Sequence, residues 1–227
     1  FGERKVRSHS GAAGLFFCRP VNSRKGERAR FYNARELNAT RPMGVDMVAN
    51  PEQDFVLKTV ESRDVHFVRF WFTDVLGNMK SFAVVPGELE SAFEEGMGFD
   101  ASCIEGFSAA QESDMLAFPD PSTFEILPWR PQANAVARMI CDIRTPEGEP
   151  YAGDSRHVLE RVVRRAAEDG YSFIVGPELE YFYFKDAEGT DVLDHGSYFD
   201  LTSLDSASDL RRDTVLTLEK MGIPVEY

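Results

Sequence analysis

The stretch His66–Phe72 admits one regular structure. At a period of two, Phe67, Arg69 and Trp71 fall on one face and Val68, Phe70 and Phe72 on the other. One face is therefore wholly apolar and calls for a core to cover it. Asp74-Val75-Leu76-Gly77-Asn78 is a turn cluster and Ser81–Val85 returns, so 66–85 reads as a β-hairpin.

Around this hairpin the remaining elements can be placed. Pro51 sits where a first helical turn tolerates proline, and Phe55, Val56 and Val60 give 51–62 an apolar side. Pro86-Gly87-Glu88 opens a helix to Glu95, closed by Gly96. The proline-rich run 118–132 reads as irregular, and Ala135–Ile143 as a strand. Asp154 or Ser155 caps a helix through Ala167 with the stripe Val158, Leu159, Val162, Val163 and Ala166. Tyr171–Val175 and Leu179–Phe184 read as strands, and a last helix runs from about Ser206 to Met221. Helices and strands mix without a regular βαβ repeat, so the fold class is α+β, with a boundary near Pro146–Pro150. The chain of 227 residues, with 43% apolar residues and 18 Phe, has ample material for a core and is not a disordered polymer.

Charge divides the chain unevenly. Residues 1–42 carry a balance of +7 and the remainder −20, within a total of −13. The basic segment lacks a sustained period of 2 or 3.6. A basic tail, an Arg-rich targeting peptide and translation from upstream of the true start all fit it. The third reading is adopted, because the chain opens on Phe1 while Met43 and Met47 stand where the composition changes. Residues 1–46 are thus expected to be a non-domain segment, 47–146 a first domain and 147–227 the start of a second. At the far end Val225-Glu226-Tyr227 follows a turn as a strand with nothing to pair it, and the sequence reads as cut short.

The acidic balance argues against nucleic acid as the main partner, since phosphate contacts need basic surface. No run of about 18 apolar residues is present to span a membrane. Cys18, Cys103 and Cys141 form no CxxC pair, which excludes a disulfide framework or cysteine-rich zinc site and suits a reducing compartment.

Chemistry concentrates in two stretches. In Gly176-Pro177-Glu178-Leu179-Glu180-Tyr181-Phe182-Tyr183-Phe184, period two puts Glu178, Glu180, Phe182 and Phe184 on one face. Two carboxylates about 7 Å apart running into a phenylalanine row would repel and lose hydration. A divalent cation removes that conflict, and glutamate oxygens suit Mg²⁺ or Mn²⁺. A sheet edge with both glutamates in water is the competing reading. Gly98–Phe107 places small residues and Asp100 between glycines, either a close-approach loop or an Asx turn in which Asp100 bonds its own backbone. Glu112–Met115 alone would be a solvated acidic loop. Phosphate-loop and dinucleotide glycine motifs are missing, and His9, His66, His157 and His195 form no metal or triad pattern.

Taken in order, Phe99-Asp100-Ala-Ser-Cys-Ile-Glu-Gly-Phe107, Glu112-Ser-Asp-Met115, Pro119-Asp-Pro121, Gly176–Phe184, Tyr198-Phe199, Asp205–Asp209 and Gly222–Glu226 resemble type I glutamine synthetase over about residues 47–227. The resemblance implies a β-grasp amino-terminal domain followed by the start of a catalytic α+β domain. It implies that Glu178 and Glu180 ligate different divalent ions, one serving the phosphates of ATP and the other glutamate. It implies Asp100 as a catalytic residue lent to a neighbouring subunit's ammonium pocket. Tyr198 and Cys103 would line that pocket, Asp114 would belong to the same loop, and Glu226 would contact nucleotide. The reaction implied is phosphorylation of the γ-carboxylate of glutamate by ATP and attack of ammonia on the acyl phosphate, in a cytoplasmic homo-oligomeric ring. Further ligands of the family would fall after Tyr227, so the chain alone is expected to be inactive.

Two residues depart from the family pattern. Ala101 stands where glycine is usual and Cys103 where serine is usual. A thiol is larger and a weaker hydrogen-bonding group than a hydroxyl. A relative joining glutamate to a polyamine or ethanolamine, and a non-catalytic homologue, are the alternatives.

Overall fold

The computed structural model describes residues 13–20 by their backbone, and 50–102, 104, 114–197, 199–200 and 207–226. The described residues divide into two compact units, 50–170 and, with the strand 13–20, 171–226.

The first unit is a sheet of six strands. Its strands are β2 (Val65–Thr73), β3 (Met79–Val84), β4 (Met97–Asp100), β5 (Asp114–Pro119), β6 (Glu125–Ile126) and β7 (Ala135–Arg144). The order is β3-β2-β7-β5-β4, with β6 also pairing β7. Only β2 and β7 run parallel, Val68 opposite Ala137 and Phe70 opposite Met139. The apolar face expected from the alternation is the buried one: Val68, Phe70 and Phe72 join Ala137, Met139, Cys141 and Ile143 of β7 in one core. Helices α1 (Pro51–Ser62) and α2 (Leu89–Glu95) cover it with Val56, Val60, Leu89 and Ala92. Burying one such Phe or Leu side chain contributes about 1.5–3 kcal/mol.

Local chemistry sets the ends of these elements. Asn50 caps α1 by accepting from the amide of Glu52, with Pro51 in the first turn. Gly96 ends α2 at φ +76°, and a Cβ there would lie 2.7 Å from the Phe118 ring. Asp74, 1% exposed, holds the β2–β3 turn. Its Oδ1 accepts from the amides of Leu76 (2.9 Å) and Asn78 (2.8 Å), and Oδ2 from Asn78 Nδ2 (3.1 Å). Lys80 Nζ stands 3.3 Å from the same Oδ2.

Three strands of this unit were not expected, among them β6 within the run 118–132 read as irregular. The loop reading of Gly98–Phe107 begins inside β4, and the acidic and proline-rich stretches conceal β5, whose register with β7 runs from Leu116–Arg144 to Pro119–Cys141. Met115 and Ala117 are buried in alternation with Asp114, Leu116 and Phe118. That signal is present in the sequence but is masked by the flanking Asp and Pro residues.

Helix α3 (Ser155–Glu168) is capped by Asp154. Its stripe is exposed at Val158, Leu159 (57%) and Val162 (59%) and half-buried at Val163 and Ala166.

In the second unit, β8 (Tyr171–Glu178) pairs antiparallel with β1 (Ala13–Pro20), and α4 (Ser208–Lys220) ends at Gly222, φ +72°. Two sequence expectations change here. The basic amino-terminal segment, read as a non-domain segment without a sustained period, contributes β1. The strand expected at Leu179–Phe184 is not formed: β8 ends at Glu178, where its ladder with β1 ends at Ala13, and only Phe184 makes an isolated bridge, to Val192. Alternation alone does not make a strand without a neighbour to take its backbone hydrogen bonds.

Candidate functional site

The first candidate residues lie where β4 and β5 end. Asp100 and Asp114 are direct cross-strand partners, the last pair of that ladder. The fold thus brings together two acids that the sequence placed in separate motifs. Asp100 Oδ1 accepts from the amide of Ser102 at 2.8 Å, the local Asx turn anticipated as one reading of this loop. Hydrogen bonds from the Ser102 side chain and backbone hold the Asp100 carboxyl below the usual aspartate value. Ala101 beside it is fully buried. Cys103 lies outside the described residues, as does Tyr198.

The second candidates sit in the other unit. Glu178 closes β8 and Glu180 follows two residues later, both exposed. The shared face anticipated for Glu178, Glu180, Phe182 and Phe184 presumed a continuous strand, and the end of β8 at Glu178 removes that basis. Among the described residues no group of three or more His, Cys, Asp or Glu stands close enough to hold a metal. Two carboxylates are hard oxygen donors of the kind Mg²⁺ and Mn²⁺ prefer, and they fit such an ion as part of a larger ligand set. Beyond them the Tyr181 and Tyr183 rings meet edge-on at 5.3 Å, with Tyr183 Oη 3.4 Å from Thr214 Oγ1 of α4. These tyrosines line a cavity of about 400 Å³ with His195 and Arg211. Glu226 is exposed after α4.

One constellation was missed by sequence reasoning. Arg156, in the first turn of α3, bridges the carboxylates of Asp120 and Asp142, the latter at 3.1 Å. Asp154, 1% exposed, accepts from the amides of Ile143 (3.0 Å) and Arg156 (3.1 Å). The cap at Asp154 was legible; the partners of Arg156, 36 and 14 residues away, were not.

Among the described residues no helix is long and apolar enough to cross a membrane.

Comparison with known proteins gives these residues a context. The glutamine synthetase β-grasp domain matches residues 64–146, and the glutamine synthetase catalytic domain matches 152–227. Helix α3 lies within the residues matched by the catalytic domain but groups with the first unit. Glutamine synthetase of Mycolicibacterium smegmatis is 50% identical over 182 residues, 78% of this chain and 41% of that protein. That of Methanosarcina mazei is 49% identical over 186 residues, 80% of this chain and 42% of that protein. The chain therefore spans about two fifths of the length of the curated relatives it matches. The cryo-EM structure of Plasmodium falciparum glutamine synthetase aligns with a TM-score of 0.61 over 77% of this chain and 41% of that one, at 19% identity, which bears on the fold alone. With both domains matched in order and half of the aligned residues shared with the curated relatives, the chain belongs to the glutamine synthetase family.

Proposed function

We propose that this chain supplies the β-grasp domain and the opening of the catalytic domain of an ATP-dependent glutamate–ammonia ligase. The observation that carries the reading is the 50% identity with curated glutamine synthetases across both domains. Ammonia is joined to the γ-carboxylate of glutamate through γ-glutamyl phosphate, within a longer polypeptide.

Each candidate residue then has a task. Asp100, kept ionised by its bonds from Ser102, receives a proton from ammonium in the pocket of a neighbouring subunit. Tyr198 and Cys103 line that pocket, and Asp114 steadies the same loop. Glu178 and Glu180 would hold separate divalent cations, Mg²⁺ or Mn²⁺, and Glu226 would contact the nucleotide. The cations, when bound, offset charge building on the transferred phosphoryl group. A pocket shared between subunits goes with a ring-like homo-oligomer, and the whole with a cytoplasmic location.

The test is an amine panel. A chimera in which residues 47–227 replace the matching part of the Mycolicibacterium smegmatis enzyme is offered ammonia, ethanolamine and a polyamine with glutamate and ATP. Glutamine from ammonia as the dominant product supports the reading. Faster turnover of a larger amine overturns it and makes Cys103 the residue to examine.

A further inference from the structure

The cluster around Arg156 goes beyond this reading, because it requires no turnover. Asp120 and Asp142 belong to the residues matched by the β-grasp domain, and Asp154 and Arg156 to those matched by the catalytic domain. The contacts therefore tie the beginning of one family domain to the sheet of the other, and all of them lie within the first compact unit.

Donors and acceptors around the guanidinium do not balance. Asp120 comes from the turn after β5, with Oδ1 taken by the amide and hydroxyl of Ser122 and Oδ2 by Arg156. Asp154 spends its two oxygens on two backbone amides. Glu160, one turn along α3, pairs with Arg164 at 2.5 Å and stands 3.7 Å from His157. Strand β7 contributes Asp142, the buried thiol of Cys141 and, two residues along the face of Asp142, Arg144, whose guanidinium is stacked 4.1 Å from the Phe118 ring. Strand β2 contributes the neutral hydroxyl of Thr73, bonded to Ser155. Arg156 is thus the cation shared by Asp120 and Asp142, with Asp154 close by. Asp142 Oδ1 stands 3.1 Å from Arg156 Nη1.

We infer that this cluster is a proton-linked joint, in which Arg156 ties the first turn of α3 to the sheet against an excess of carboxylates and proton uptake by Asp142 tightens it. Burial raises the Asp142 carboxyl above the usual aspartate value, Arg156 opposes this, and the charges of Asp120, Asp154 and Glu160 add to it. The side chain is 44% accessible, so solvent moderates the effect. An acid whose folded value is raised binds its proton more tightly in the folded state. The stability it brings is present below the ordinary value of 3.8 and is lost as pH rises through the raised one. Each unit of elevation is an about tenfold tighter hold on the proton.

The experiment is a carboxyl-carbon NMR titration of Asp142 in the full chain, with thermal melts of the wild type, Asp142→Asn and Arg156→Met between about pH 4 and pH 8. The joint predicts that Asp142 titrates above the usual aspartate value. It also predicts that Asp142→Asn melts higher than the wild type near neutrality, and that this difference closes toward the acid end. Arg156→Met should melt lower than the wild type near neutrality. Titration of Asp142 at or below the usual value overturns the inference, as does an Asp142→Asn variant less stable than the wild type at neutral pH. The wild-type titration decides the matter even where a variant fails to fold.

Discussion

Asp100 and Asp114 face each other directly across the last rung of the β4–β5 ladder. Like charges at directly opposed positions destabilise a sheet, so this pair is costly for the fold. Asp114→Asn should therefore raise the melting temperature of the first unit by about 1–3 °C. In the chimeric enzyme the same change should disturb the loop that carries Asp100, and lower turnover. Calorimetry and ammonia-dependent turnover on one preparation would separate the two effects. A variant neither more stable nor less active would remove the case for the pair.

Asp74 makes the opposite contribution. Burial works against its charge, but bonds from Asn78, Lys80 and Leu76 prevail and hold the carboxyl below 3.8. A depressed acid stabilises above its ordinary value and gives up that stability as pH falls through the folded one. Asp74→Asn should lower the neutral melting temperature on the order of 5 °C and flatten the acid limb of the pH–stability curve. Melts from neutral pH downward would show whether the two curves converge in acid.

Gly96 and Phe118 form a tight contact that no other residue at 96 can share. Positive φ and the 2.7 Å approach of an added Cβ act together, so Gly96→Ala should cost about 1–3 kcal/mol. Adding Phe118→Leu should recover part of that cost, because one of the two causes is the ring itself. Urea melts of the single and double variants give the coupling. Purely additive losses would mean that backbone strain alone is responsible.

Much of the first unit was legible because its signals are local. Alternation at Val68, Phe70 and Phe72 named the buried face of β2, and Pro51 with Ser62 bounded α1 to the residue. Strands β4, β5 and β6 were not legible: four residues containing Gly98 carry little pattern, the alternation of β5 is masked by flanking Asp and Pro, and β6 is two residues long. At the site, Glu178 and Asp100 were singled out by residue type and spacing. The opposition of Asp100 to Asp114 and the bridge from Arg156 to Asp120 are long-range facts that no local period encodes.

The basic amino-terminal segment offers a test of how the two units depend on it. β1 pairs along the whole of β8, from Pro20–Tyr171 to Ala13–Glu178. A chain starting at Met43 should leave the melting of residues 50–170 unchanged within about 1 °C. Amide hydrogen exchange across 171–178 should quicken as the ladder is lost. Equal protection of 171–178 in both chains would mean that β8 does not rely on β1.

As a metal ligand in a glutamine-forming ligase, the role proposed for it, Glu178 would be indispensable to turnover. The most direct measurement is the rate of glutamine formation by the assembled chimera with and without Glu178→Gln. Glutamate keeps its size and one carbonyl oxygen in that change but loses the charge that faces a divalent cation. The unaltered chimera should make glutamine in an ATP- and ammonia-dependent way, and the variant should lose about 100-fold or more of that rate. An assembled chimera that makes no glutamine, or one whose rate is indifferent to Glu178→Gln, would contradict it.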